Sequence, residues 1–384
     1  MLIRSKAPLR ISFAGGGTDV PPFPDQEGGC VLNATINKHT YGTLRPRTDQ
    51  HIQIASVDFG LLLHCEADRL IYDGKLDLVK AAIRKFGYAN GGFNLFLESD
   101  APPGSGLGSS SSMMVTLVGL LKEHKALPLT DYEIAQLAYV IERRELGIRG
   151  GLQDQYAAAF GGFNFMEFTG DRVIVNPLRI SQSGINELEH NLLLCYTGRT
   201  RFSDRIIEDQ TSRYQQQEGN TLEGLREQKA LAVELKNALL QRRFNHFGDL
   251  MHQAWISKKK ISPKISTATI DGFYEEARKH GALGGKIMGA GGGGYMLFYC
   301  PFELKHKVAA ALERIGATPC EFRFSVEGLQ TWRVQDDQPL EEGFEPSEQG
   351  YFPFAGSARD PRPSILPPEI AEQERFRPVA EMEN

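Results

Sequence analysis

Apolar and polar positions alternate over residues 3–13 and the alternation breaks at Gly15-Gly16-Gly17, which predicts a strand ending in a tight glycine turn. Residues 31–45 read as further extended chain, so an antiparallel pair is expected to open the fold. The period then lengthens to that of helices over 76–86, 111–124 and 131–146, with a strand-like apolar segment at 93–97 between the first two. The third helix is opened by Thr130-x-x-Glu133, a capping box in which each side chain satisfies the other residue's backbone N–H. A strand over 162–168 closes this half. The second half begins near Leu188, with strands predicted at 191–196, 295–300 and 321–326 and helices at 204–213, 221–241, 244–259, 265–280 and 303–315. The interleaving predicts an α+β protein of two domains, 1–168 and 169–335.

From residue 336 the periodicity stops. Pro and Glu dominate and apolar density is low, which predicts a disordered tail over 336–384, with Phe344, Tyr351, Phe352 and Phe354 as its aromatic cluster. The tail also carries the charge asymmetry. Twelve acids stand against four Arg there, so the −5 of the whole chain leaves the body at about +3. A mildly basic body suits phosphorylated small molecules. No basic stripe interleaved with aromatics is present, so no nucleic-acid partner is expected. With 384 residues, 41% hydrophobic and 24% charged, the chain has the composition expected of an ordinary soluble globular protein. The apolar run 113–121 is too short to span a bilayer and the N-terminus lacks a signal-peptide apolar core, so no membrane partner and a cytoplasmic location are expected. Cys30, Cys65, Cys195, Cys300 and Cys320 are scattered, with no CxxC, and are expected as reduced thiols.

The chemistry concentrates in glycine runs. Pro102-Pro103-Gly104-Ser105-Gly106-Leu107-Gly108-Ser109-Ser110-Ser111-Ser112 lies between a strand and a helix, where glycines let backbone N–H groups converge and the helix start adds partial positive charge. Such a loop cradles phosphate, most naturally that of a nucleotide triphosphate, and its hydroxyls can donate to phosphate or ligate Mg2+. Gly289–Gly294 fits GxGxxG but precedes a strand where a dinucleotide fold requires a helix, and neither GxxxxGK[ST] nor the HRD and DFG pair is present.

Three motifs, Ala7-Pro8-Leu9-Arg10 through Thr18-Asp19, the loop at 102–112, and Gly285–Gly294, occur in an order that resembles the GHMP kinase superfamily over roughly residues 1–335. The resemblance implies an N-terminal domain like domain 2 of ribosomal protein S5 and a ferredoxin-like C-terminal domain. It implies ATP held by Pro103, Gly104, Ser105, Gly106, Leu107, Gly108, Ser109, Ser110 and Ser111, with Mg2+ at Ser110 and Glu142, Glu145 being the rival acid. Asp154, in Gly151-Leu152-Gln153-Asp154-Gln155, matches the family's base for the acceptor hydroxyl, and Arg10 its partner that stabilises transition-state charge.

Asp19 matches the Asp that grips a sugar hydroxyl, while Gly16-Gly17 replace the Glu-His of galactokinases. Gly16, Gly17, Gly151, Gly291 and Gly292 are expected to line the same substrate. The segments Ala14–Phe23 and Gly150–Asn164 look most like those of bacterial heptose 7-phosphate kinases, and fucokinases share part of the pattern. The resemblance therefore implies transfer to the anomeric hydroxyl of a sugar phosphate, on the way to a nucleotide-activated heptose. A distal phosphate needs cations, and Lys38, Arg45, Arg149, Arg199, Arg201 and Lys259 are candidates. Arg199 and Arg201 are favoured, because they follow a strand and a glycine. A non-catalytic nucleotide and sugar sensor would need the cradle but not the base. The oligomeric state is open in the sequence, a homodimer included.

Overall fold

The alternating opening of the chain runs as β1 (Leu2–Ala14), and the first glycine run leads through the single turn α1 (Phe23–Gln26) into the antiparallel β2 (Gly29–Pro46). The computed structural model describes residues 1–66, 70–87, 91–170, 172–200 and 204–336. A hairpin of β3 (His51–Ser56) and β4 (Leu61–Glu66) follows, then α2 (Asp77–Phe86), β5 (Phe93–Ser99), α3 (Ser109–His124) and α4 (Asp131–Tyr139). The Thr130–Glu133 capping box forms in full, a device worth about 1 kcal/mol. The helix expected over 131–146 does not remain α-helical. It widens into a π-helical turn at Val140–Glu145, and such turns commonly mark functional positions.

α5 (Gln153–Phe160), β6 (Phe163–Thr169) and β7 (Arg172–Pro177) complete the first half of the chain. On the edge away from β1, the 18 residues of β2 serve two further neighbours, its beginning pairing β6 and its end β5, while β3 adds to β5 in parallel. The second half contributes α6 (Gln182–Asn191), β8 (Leu192–Tyr196), α7 (Asp204–Gln215), α8 (Gly219–Leu240), α9 (Phe244–Ile261) and α10 (Ala268–Lys279). Then come β9 (Gly284–Ile287), β10 (Tyr295–Tyr299), α11 (Phe302–Arg314), β11 (Thr318–Cys320) and β12 (Gln330–Val334). β11, β8, β10 and β9 form a four-stranded antiparallel sheet in that order. The α+β class, with one sheet in each half, is as expected.

Three expectations change. The strand placed at 321–326 is an irregular crossing with a single bridge, Ile36 to Phe324. Two of its backbone N–H groups are taken by side chains, Arg323 N donating to Asn37 Oδ1 at 2.7 Å and Phe324 N to Glu189 Oε1 at 2.6 Å, while Ser325 N donates to Thr35 O at 2.9 Å. The chain then returns to the first sheet, where β12 covers the free edge of β1. A break after residue 168 would fall inside the β6–β7 hairpin, so the first sheet runs past the expected boundary. One core cluster lies under the first sheet against α3 and α5, and another within the second half around Trp255 and Phe298. A third joins the halves, packing Leu9, Ile11 and Phe13 of β1 with Phe247, Met251 and Met288. That junction brings the three glycine motifs together.

All five cysteines are free thiols, three of them buried. Among the described residues no helix is long and apolar enough to cross a membrane. The tail expected to be disordered lies, from residue 337 onward, outside the described residues.

Candidate active site

The cradle connects β5 to α3. Gly104, Gly106 and Gly108 all take positive φ, 74°, 80° and 78°, a conformation open to glycine without the steric cost a Cβ brings. Gly108 caps α3 with no side-chain hydrogen bond, so the helix presents unfilled N–H groups to the opening. Ser105 and Leu107 turn inward and are buried, Pro103 and Gly104 are half-buried, and Ser110 is exposed at the mouth. The loop is braced from behind by the ends of the third glycine run. Tyr295 N donates to Ser105 O at 3.1 Å, and a Cβ on Gly289 or Gly294 would lie 2.8 Å from Gly106 Cα or 2.2 Å from Ser105 O. Gly291 and Gly292, expected at the substrate, instead back onto Ile265, whose carbonyl accepts from Gly292 N at 2.9 Å.

Arg10 and Asp154 meet beside Gly108. Arg10 Nε donates to Asp154 Oδ1 at 2.7 Å and Nη1 to Gly106 O at 2.6 Å, so a single guanidinium ties the carboxylate to the cradle. A Cβ on Gly108 would lie 3.5 Å from both side chains. Asp154 stands in the first turn of α5, a helix not among those predicted from the hydrophobic period.

Glu142 is fully buried. The π-helical turn aims it at the start of α3, where it accepts from Ser110 Oγ at 2.8 Å, Ser111 Oγ at 2.7 Å and Gln155 Nε2 at 2.6 Å, with Arg143 Nη1 at 3.3 Å. Glu145 points elsewhere and accepts from Tyr72. Asp204, at the start of α7, is near enough to feel Arg143 and Glu142, and burial raises its carboxyl. Among the described residues no three His, Cys, Asp or Glu are arranged to hold a metal alone. Mg2+ needs only one or two protein oxygens beside phosphate and water, and the Ser110 hydroxyl with the Glu142 carboxylate fits that demand.

Asp19 closes the other end of the site. It accepts from Gly17 N at 3.0 Å, Gln153 N at 3.2 Å and Gln153 Nε2 at 3.1 Å; burial, then the charge of Asp154, pushes its carboxyl upward. Gly151 has to be glycine, since a Cβ there would lie 1.9 Å from Asp19 Oδ2. Two lysines missing from the sequence-based set complete this end. Lys258 of α9 is buried, donates to Gly289 O at 2.7 Å and is pulled down to about 8 by burial and Arg10, against Asp19 and Asp154. Lys286 of β9 is buried, donates to Ser12 O at 2.6 Å and is held well below the usual lysine range by burial, then by Lys258 and Arg10.

The candidate phosphate cations mostly have other partners. Arg45 pairs with Asp336 at 2.8 Å, Arg149 with Glu208 at 3.2 Å and Lys259 with Asp271 at 3.1 Å, while Lys38 lies half-buried on β2. Arg199 is exposed after β8, its carbonyl accepting from Gly294 N at 2.7 Å, which ties it to the third glycine run. Arg201 lies outside the described residues.

Comparison with known proteins agrees with this geometry. The family model for the GHMP kinases N terminal domain matches residues 76–162, and that for GHMP kinases C terminal matches 235–318. The chain is 40% identical to D-glycero-alpha-D-manno-heptose 7-phosphate kinase of Campylobacter jejuni, over 86% of this chain and 99% of that protein. It is 31% identical to the bifunctional fucokinase/GDP-fucose pyrophosphorylase of Arabidopsis thaliana, over 76% of this chain and 29% of that protein. The crystal structure of a D-glycero-D-manno-heptose 1-phosphate kinase from Bacteroides thetaiotaomicron superposes with a TM-score of 0.74 at 35% identity, covering 87% of this chain and all of that one. The glycine cradle, the arginine–aspartate pair beside it and these likenesses place the chain in the GHMP kinase family of ATP-dependent phosphotransferases that act on an alcohol group.

Proposed function

We propose that the chain is a sugar kinase that transfers the γ-phosphoryl group of ATP to the anomeric hydroxyl of a sugar phosphate, D-glycero-D-manno-heptose 7-phosphate, giving the 1,7-bisphosphate. The observation that carries the chemistry is the Arg10–Asp154 pair at the open side of the cradle. In this reading the Asp154 carboxylate receives the proton of the attacking hydroxyl while Arg10 keeps it oriented and offsets negative charge at the phosphoryl group. The loop 103–111 and the start of α3 hold the nucleotide phosphates. Ser110 and Glu142 hold Mg2+, which when bound neutralises phosphate charge. Asp19, with Gly16, Gly17 and Gly151 around it, orients the acceptor.

The choice of substrate is supported by the likeness to the Campylobacter protein along nearly its whole length. Arg199 and Arg201 are the groups assigned to the distal phosphate. ATP consumption measured against heptose 7-phosphate, mannose 6-phosphate, fucose and galactose tests the reading. Heptose 7-phosphate is expected to give the highest kcat/KM, and the double variant Arg199→Ala, Arg201→Ala to raise its KM about ten- to a thousandfold with that for ATP unchanged. Faster turnover of free fucose would replace this reading with a fucokinase-like one.

A further inference from the structure

Two side-chain atoms in the floor of the site lack protein partners, and a third group beside them uses only part of its hydrogen-bonding capacity. Among the described residues, Ser12 Oγ and Gln153 Oε1 are buried with no partner. The Lys258 ammonium, in a residue 3% exposed, carries three hydrogens and uses one on Gly289 O. These side chains converge on Gly16. A Cβ there would lie 3.6 Å from Ser12 Oγ, 3.7 Å from Gln153 Nε2 and 3.8 Å from Lys258 Nζ. Unfilled buried donors and acceptors are tolerated where a ligand or water completes them.

The chemistry of the set selects the ligand atom. Ammonium hydrogens donate, the Gln153 amide reaches Gly16 through Nε2, a donor that also bonds Asp19, and the Ser12 hydroxyl does either. A hydroxyl suits this set, because it accepts from the ammonium and both gives to and takes from Ser12, whereas a phosphate dianion would confront the Asp19 and Asp154 carboxylates that flank the lysine. We propose that Lys258, with Ser12 and Gln153, grips one hydroxyl of the acceptor over Gly16, making Lys258 a specificity-determining residue for the sugar. This rests on the sugar-kinase reading above.

The charged groups facing Lys258 are Arg10 from β1, Asp19 from the turn after it, Asp154 from α5 and Lys286 from β9. With the ammonium titrating near 8, its charge, and the charge-assisted hydrogen bond that depends on it, weaken as pH rises through that value.

The test compares wild type, Gly16→Ala, Lys258→Met and Lys258→Arg on whichever sugar of the panel the wild type turns over best, with nucleotide affinity and Tm measured alongside. The methyl of Gly16→Ala meets protein atoms only at ordinary contact distance, so Tm and nucleotide affinity should hold while sugar KM rises about tenfold or more. Lys258→Met should raise sugar KM about ten- to a hundredfold. Wild-type kcat/KM for the sugar should fall above pH about 8, and Lys258→Arg should lack that fall. Sugar KM within about twofold of wild type in both Gly16→Ala and Lys258→Met overturns the proposal. So does a parallel loss of nucleotide affinity in Lys258→Met, which would make the lysine a strut for Gly289. The identity of the best sugar tests the proposed function, and the ratios between variants test this inference, so each can fail alone. A wild type that turns over no sugar overturns both.

Discussion

Asp154 and Arg10 are 144 residues apart, yet they meet, and an arginine that also donates to Gly106 O fixes the carboxylate against the cradle, the arrangement on which the proposed proton transfer rests. Removing Arg10 would empty a buried position and leave the partly exposed Asp154 carboxylate without its partner, mixing stability with catalysis. Asp154→Asn is cleaner, since the amide oxygen can still accept from Nε. It should lower kcat by about two to four orders of magnitude at unchanged nucleotide affinity, measured by single-turnover kinetics and calorimetry; near-normal kcat would remove Asp154 from the role of base. The residue scale is also where the sequence misleads most. Of Lys258-Lys259-Lys260 the sequence singled out Lys259 as a candidate phosphate cation, and steps of 100° along α9 decide otherwise. Lys259 and Lys260 reach Asp271, Glu223 and Glu227 on the outside, and Lys258 faces the site.

The elements meet through glycines whose reasons differ. A Cβ on Gly106 would lie 2.6 Å from the backbone oxygen of Met288, where nothing can yield, whereas one on Gly108 would meet Arg10 and Asp154 at 3.5 Å. Both have positive φ, which costs an alanine about 1–2 kcal/mol. Gly106→Ala should therefore lower Tm clearly and weaken ATP binding by prising the cradle from the third glycine run. Gly108→Ala should cost stability only on the strain scale, and its loss should fall mainly on kcat. Thermal melts with steady-state kinetics on the pair check this, and equal Tm losses would contradict it. The π-helical turn acts at the same scale, since it is the local widening that separates Glu142, aimed at Ser110, from Glu145, bonded to Tyr72.

Across the whole molecule, the last described strand returns to the first. β12 pairs with β1, and Leu329 just before it donates its backbone N–H to Ala159 O and packs close to Gly119. A chain ending after Asp337 keeps this edge and the Arg45–Asp336 pair, so its Tm and Michaelis constants should match those of the full chain. A chain ending at Gly328 loses the strand and the Leu329 contacts, a loss of about 2–4 kcal/mol. It should melt several degrees lower. Equal melting temperatures for the two truncations would show that β12 contributes nothing to the fold.

Most elements were legible in the sequence, because hydrophobic period, the Thr130 capping box and glycine punctuation are local properties of neighbouring residues. The three motifs, the cradle and the pairing of Arg10 with Asp154 were legible too, the last through family resemblance. What local pattern does not contain is which side of an element meets a distant one. β3 and β4 have no signal of their own comparable to the parallel partner β5, and the edge under β12 is defined by a strand more than three hundred residues away. For the same reason only the tertiary structure chose Glu142 over Glu145, Gly289 and Gly294 over Gly291 and Gly292 as the brace of the cradle, and Lys258 over its two neighbours. Each choice depends on burial and on contacts between segments remote in the chain, which the folded packing creates and no spacing along the sequence encodes.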